Sequence, residues 1–206
     1  MPRPRTVPDS AVLEAAFRVV TRLGPGRLTL GDVAAECGLS PATLVQRFGT
    51  KRGLLLALAK SSSESTGACF AAVRAAHKSP LAAILVAATE VARLVTTPAE
   101  LANGMAFYQL DVSDPEFHSL AVSNSAGLHG GYRALVEEAV AAGELVPCDA
   151  ARLARTISAL TAGSLLAWAI HQEGTAEAWV RADVDTLLGP YRVGNTRSRL
   201  RPRAKK

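Results

Sequence analysis

Apolar residues recur at helical spacing along most of this chain. Val12, Leu13, Ala16, Val19, Val20 and Leu23 mark one face of a first helix, capped by Asp9 or Ser10 and ended at Gly24-Pro25-Gly26. Leu30, Val33, Ala34 and Cys37 follow at i, i+3, i+4 and i+7. Thr29 and Asp32 are spaced as a short capping box for that second helix. Gly38 supplies the positive φ that lets the chain reverse. Ser40-Pro41 restarts it, a serine cap with proline at the first helical position. Leu44 and Phe48 then pack back onto Val33, Ala34 and Cys37, and Ala42, Thr43, Gln46 and Arg47 are expected to face outward. Such a pair reads as a helix-turn-helix, whose second helix enters the DNA major groove.

Beyond Thr50, which caps the next helix, the apolar pattern begins at Leu54, weakens over residues 61–67 and resumes at Phe70. It predicts one long helix, or two with a kink, with the domain boundary at 61–67. Pro80 opens a segment apolar on nearly all sides, and so buried; Pro98 opens another. Residues 111–116, with Pro115, read as a loop or short turn. A long helix over 117–142 contains Gly127, Gly130 and Gly131, each costing about 1 kcal/mol relative to alanine. That cluster points to a bend, or to a helix pressed against a ligand or neighbour. Asp149 caps a helix through His171, and 178–188 forms the last one. The first is apolar nearly all round and the second carries a cleaner apolar face; one monomer has trouble covering both, so their outer faces, within 149–171 and 176–191, are the expected homodimer seam. No alternating β-branched strand pattern is present, and the fold class is all-α: an N-terminal three-helix helix-turn-helix domain (1–60), a C-terminal helical ligand-binding and dimerisation domain (61–191), and a disordered basic tail (192–206).

The stretch from the first helix to about Ala59, through TLGDVAAECGLSPATLVQRFGTKRGLLLAL, resembles the tetracycline-repressor (TetR) family of bacterial transcriptional regulators. The resemblance covers a little over a quarter of the chain; the remainder is similar only in being helical and of suitable length. It implies a homodimer joined by the last two helices of each subunit, and a ligand pocket in each body whose filling changes the spacing of the two motifs. Two positions depart from the family pattern. An aromatic residue commonly stands where this chain has Val45 and Arg47, and the first of these often touches the DNA backbone. Val45 cannot hydrogen-bond a phosphate through its side chain, so that contact is absent or moved to Arg47. An acidic residue commonly stands at Gly53.

Charge sharpens the expectation. The net +5 of the 206 residues is uneven. Residues 1–60 carry nine Lys and Arg against four Asp and Glu, residues 61–191 seven against fourteen, and residues 192–206 seven against none. A basic end on an acidic body suits a nucleic-acid reader with a separate regulatory body. Arg3 and Arg5 in the arm 1–8, and the tail 193–206, are expected to add salt-dependent attraction to phosphates.

The DNA contacts are assigned by side-chain chemistry. Thr43 suits a thymine methyl or a base edge, Gln46 pairs with adenine, and Arg47 pairs with guanine or takes a phosphate, with Ala42 beside them. Thr29, Ser40 and Lys51 lie at helix N-termini, where phosphate oxygens are gripped, and Arg27 joins them. Two symmetric subunits bind half-sites about one helical turn, ~34–36 Å, apart. Pocket candidates in the body are Met105, Phe107, Tyr108, His118, Asn124, His129 and Trp168; His77 and His171 read as surface residues.

Other classes find little support. Cys37, Cys69 and Cys148 show no metal or disulfide spacing, and Cys37 reads as a small core residue. No catalytic motif, phosphate loop or dinucleotide fingerprint occurs, so neither enzyme activity nor a cofactor or metal is expected. No apolar core follows the basic start as in a signal peptide, and the longest uncharged run, 156–172, falls short of the ~20 residues a span needs. The expected location is the cytoplasm. A regulator controlled by a protein partner, and more remotely a helical enzyme, are the alternatives.

Overall fold

The computed structural model describes residues 7–194. Among these, nine α-helices follow one another: α1 (Asp9–Arg27), α2 (Leu30–Cys37), α3 (Pro41–Phe48), α4 (Lys51–Ala76), α5 (Pro80–Arg93), α6 (Pro98–Ser113), α7 (Pro115–Ala141), α8 (Ala150–His171) and α9 (Ala176–Leu188). A 3-10 turn, Gly189–Tyr191, ends the series. The described residues hold one isolated antiparallel bridge, Leu145 with Arg192.

Local chemistry sets most of the boundaries. The Thr29 hydroxyl accepts from the Asp32 amide at 3.1 Å while the Asp32 carboxylate accepts from the Thr29 amide at 2.8 Å, which completes the capping box. Gly38 takes φ 66°, ψ 31° and ends α2. Ser40, Ser79, Asp149 and Thr175 cap α3, α5, α8 and α9. Thr97 and Glu100 form a second capping box before α6.

Three boundaries differ from the sequence reading. Pro8 occupies the cap position of α1 and provides no side-chain bond, so neither Asp9 nor Ser10 caps it. Gly24 breaks α1 at φ 77°, ψ 158°, and a further short turn reaches Arg27. The loop expected over 111–116 is the single residue Asp114, because the Asp114 amide still donates to Leu110 O while Pro115 already starts α7. α4 is continuous through the serine-rich stretch.

The chain forms two compact units. One takes the residues up to Ser65 together with Thr97–Asn124. Its core holds Val12, Val19, Leu28, Val33, Leu44, Leu54 and Phe117, all essentially solvent-free. Phe107 and Leu110 of α6 pack against that core, Phe107 meeting the Phe117 ring edge-on at 5.7 Å between centroids. Asn103 Nδ2 donates to the carbonyls of Thr21 (3.0 Å) and Arg22 (2.9 Å), fixing α6 along α1. Thr97–Asn124, assigned by sequence to the body, thus packs with the helix-turn-helix.

The other unit takes Thr66–Thr96 and the residues from Ser125 onward. α9 packs against α5 and α8, burying Ile84, Ile157, Val180 and Val184. Ser164 Oγ donates to the Asp183 carboxylate at 2.6 Å inside this packing. Glu144 accepts from Ser79 Oγ (2.9 Å) and the Leu81 amide (2.7 Å), so the turn after α7 is tied to the start of α5. The glycine cluster has a definite neighbour: a Cβ on Gly131 would lie 2.4 Å from the Phe70 ring, and one on Gly127 3.3 Å from Thr66. Phe70 in turn meets Tyr132 edge-on. By length and composition α8, at 22 residues, is apolar enough to cross a membrane, unlike the shorter uncharged run within it. Its Leu153, Ile157, Leu165 and Trp168 are spent on packing inside this unit. Its opposite side leaves Ala159, Ala162, Gly163, Leu166 and Ile170 exposed at helical spacing.

Candidate nucleic-acid interface

α3 is an eight-residue helix held from one side only. Leu44 is fully buried, and Phe48 and Cys37 pack partly buried against the same core. Burial raises the Cys37 thiol pKa, in keeping with a small core residue. With Leu44 and Phe48 inside, helical geometry places Ala42 and Gln46 on the opposite face and Val45 beside them, and these three are exposed together with Pro41 in the first turn. This face is rotated from the one expected. Thr43 lies to one side, its Oγ1 2.9 Å from Ser40 Oγ. Arg47 turns back instead of outward: Nη1 donates to Val7 O at 2.6 Å and meets Asp9 Oδ1 at 3.2 Å, leaving its side chain 21% exposed.

Val45, which carries no assigned DNA contact in the sequence pattern, is 51% exposed. Helical period alone does not mark it. With Leu44 and Phe48 inside, the 3.6-residue period sets 45 and 47 at equal angles to the buried axis, and only the packing leaves Val45 exposed and Arg47 partly covered.

Other basic residues described in this unit differ in what they engage. Arg18 and Arg22 share Glu36, whose carboxyl is held below its ordinary pKa chiefly by the Arg18 hydrogen bond. Arg52 is engaged by Asp114 and Glu116, and its guanidinium lies over the Phe117 ring, 5.5 Å from the centroid. Arg27 and Lys51 instead donate to backbone carbonyls, Leu23 O at 2.9 Å and Gly26 O at 2.5 Å. A carbonyl orients a cation without cancelling its charge, so both remain available to phosphates. Thr29 and Ser40 are exposed at the N-termini of α2 and α3. The Thr29 hydroxyl also donates to Asp32 at 2.6 Å, which holds that carboxyl below its ordinary pKa. Arg3, Arg5 and residues 195–206 lie outside the described residues.

The seven pocket candidates divide between the two units. Met105, Phe107, Tyr108, His118 and Asn124 belong to the first unit and His129 and Trp168 to the second. Phe107 serves the core, Tyr108 is 64% exposed, Met105 and His118 are exposed, and His118 Nδ1 contacts Asp111 O at 3.1 Å. Trp168, buried, lines an open cleft of about 360 Å³ with Val95, Thr96, Gly174 and Thr175. Trp168 Nε1 points to Gly174 O at 3.4 Å. Among the described residues no group of His, Cys, Asp and Glu could hold a metal ion.

Residues 12–58 match the family described as bacterial regulatory proteins, tetR family. Residues 80–189 match the BetI-type transcriptional repressor, C-terminal. The chain belongs to the tetR family. A search of curated proteins finds no match. Solved structures of tetR-family and related regulators share the fold at low identity. A TetR transcription regulator from Haloarcula marismortui is 17% identical over 88% of this chain and 96% of its own, with a TM-score of 0.70. The transcriptional regulator FadR from Bacillus subtilis, in complex with stearoyl-CoA, is 15% identical over 88% and 98%, with a TM-score of 0.68. A putative TetR-family transcriptional regulator from Rhodococcus sp. is 20% identical over 86% and 96%, with a TM-score of 0.64. As a tetR-family regulator, this chain carries its helix-turn-helix in α2 and α3, braced by α1 and followed by α4.

Proposed function

We propose that this tetR-family chain is a ligand-responsive cytoplasmic repressor that binds a palindromic operator as a homodimer and is released by a small-molecule inducer. The observation that carries the DNA-reading part is the outer face of α3: a helix fixed by Leu44 from behind, with Ala42 and Gln46 exposed, in a unit that also presents the Arg27 and Lys51 cations and the Thr29 and Ser40 N-termini. Ala42, Thr43 and Gln46 face base edges; Arg27, Thr29, Ser40 and Lys51 position the phosphates. Arg47 enters as the residue that ties the N-terminal segment to α3. Residues 1–60 read DNA, and 61–191 carry regulation and dimerisation.

The exposed small and apolar stripe of α8 supports a helix-on-helix dimer seam shared with α9. An effector is supported by the stearoyl-CoA held by the Bacillus subtilis regulator. Release demands differential affinity: the effector must favour the motif spacing that does not fit the operator.

The test is selection of bound sites from a pool of random duplexes by the purified full chain at modest salt, with its mass in solution measured alongside. An enriched inverted repeat with half-sites about one helical turn apart, bound by a dimer, is the expected result. Indifference to every duplex, the chain's own promoter included, overturns it.

A further inference from the structure

We infer that Val45 is a specificity-determining residue of the recognition helix, reading the 5-methyl group of one thymine in each half-site. The inference deepens the DNA-reading function proposed above and rests on it.

Three observations converge. Val45 is half exposed on a helix whose other large apolar residues, Leu44 and Phe48, turn inward. It shares the outward face with Pro41, Ala42 and Gln46, so the surface offered to the groove is largely apolar, with one amide at its edge. Arg47, the cation of the same helix, is withdrawn to Val7 O and Asp9 and does not compete for that face.

An apolar branched side chain exposed on such a face cannot satisfy a base-edge donor or acceptor, and against a guanine or cytosine edge it would strip water without replacing it. Thymine alone presents a methyl group in the major groove. Contact between the Val45 γ-methyls and that group removes apolar surface from water on both sides, and the two-methyl fork of valine is stiff at χ1, so little rotamer freedom is lost. Gln46, the next residue on the face, is suited to an adjacent adenine. Together they favour A·T-rich steps in each half-site.

The experiment uses the duplex recovered from the random-pool selection, with each thymine replaced in turn by deoxyuridine, which deletes the methyl and leaves base pairing unchanged. For the unaltered protein, uracil at that position in one half-site weakens binding about fourfold, and in both half-sites about fifteenfold. Val45→Ala binds the thymine duplex with the same loss and no longer distinguishes uracil from thymine there, while Val45→Thr, which keeps one γ-methyl, retains part of the discrimination. Far-UV circular dichroism checks that both variants keep their helix content. Uniform tolerance of uracil by the unaltered protein, or discrimination unchanged in Val45→Ala, overturns the assignment. Failure to enrich any duplex overturns the DNA-reading function itself, a distinct outcome.

Discussion

Arg52 and Asp114 are paired through two hydrogen bonds from one guanidinium nitrogen, 2.8 and 2.7 Å to the two carboxylate oxygens. Arg52 stands in the first turn of α4, immediately after the recognition helix, and Asp114 is the whole connection between α6 and α7. The pair therefore joins the helix-turn-helix to a segment more than sixty residues away in sequence within one compact unit. The Asp114 carboxylate also accepts from the Glu116 amide at 3.0 Å, so the same group caps α7.

This pair makes stability depend on acid. The Arg52 hydrogen bond holds the Asp114 carboxyl below its ordinary pKa. A carboxyl whose folded pKa lies below its unfolded value, about 3.9, contributes stability that is complete above that value and is lost as pH falls through the folded one. Asp114→Asn is expected to lower the urea midpoint modestly at pH 7 and to flatten its decline below about pH 4. Urea titrations at several pH values check this; an unchanged acid-side slope contradicts it.

Gly53 has no room for a side chain. A Cβ there would lie 2.1 Å from Phe48 O, a backbone atom that cannot swing aside. Gly53→Ala is expected to cost roughly 1–3 kcal/mol by forcing the α3–α4 turn apart, and to weaken operator binding because α3 is re-aimed. Denaturant midpoints together with binding isotherms test it. The acidic residue common in the family at this position would meet the same carbonyl.

Gly131 is filled from outside by Phe70. Gly131→Ala is expected to destabilise by roughly 1–3 kcal/mol, whereas in a Phe70→Ala background the added methyl costs much less, because the ring it strikes is gone. A double-mutant cycle measures the difference. Additive losses contradict the packing assigned to these two residues.

Lys51 and Arg47 separate two kinds of cation. Lys51→Ala is expected to weaken specific and random duplexes alike and to lower the slope of log K against log salt by about 0.9, the signature of one lost phosphate. Arg47→Ala is expected to leave base preference unchanged while loosening the segment at Val7, since its donors are already committed there. Selection repeated with each variant decides the matter; a new base preference for Arg47→Ala means that the arginine leaves Val7 when DNA is bound.

The sequence by itself determined the elements whose causes are local. The Thr29–Asp32 box, the turn at Gly38, the Ser40-Pro41 start and the burial of Leu44 depend on residues within a few positions of one another, and each stands as its pattern implies. Fold class and the family resemblance followed from those same local features. Tertiary structure alone decided what distant residues impose. The local pattern turns Arg47 outward, whereas Val7 and Asp9, about forty residues earlier, draw it back. α6 has no pattern that marks it for the helix-turn-helix core, yet Asn103 reaches the carbonyls of Thr21 and Arg22 beside the break at Gly24, the first of which Pro25, lacking an N–H, could not have bonded. Periodicity gives the inner face of a helix, but which neighbour covers it, and which polar tips find partners there, is fixed only when the whole chain has closed around them.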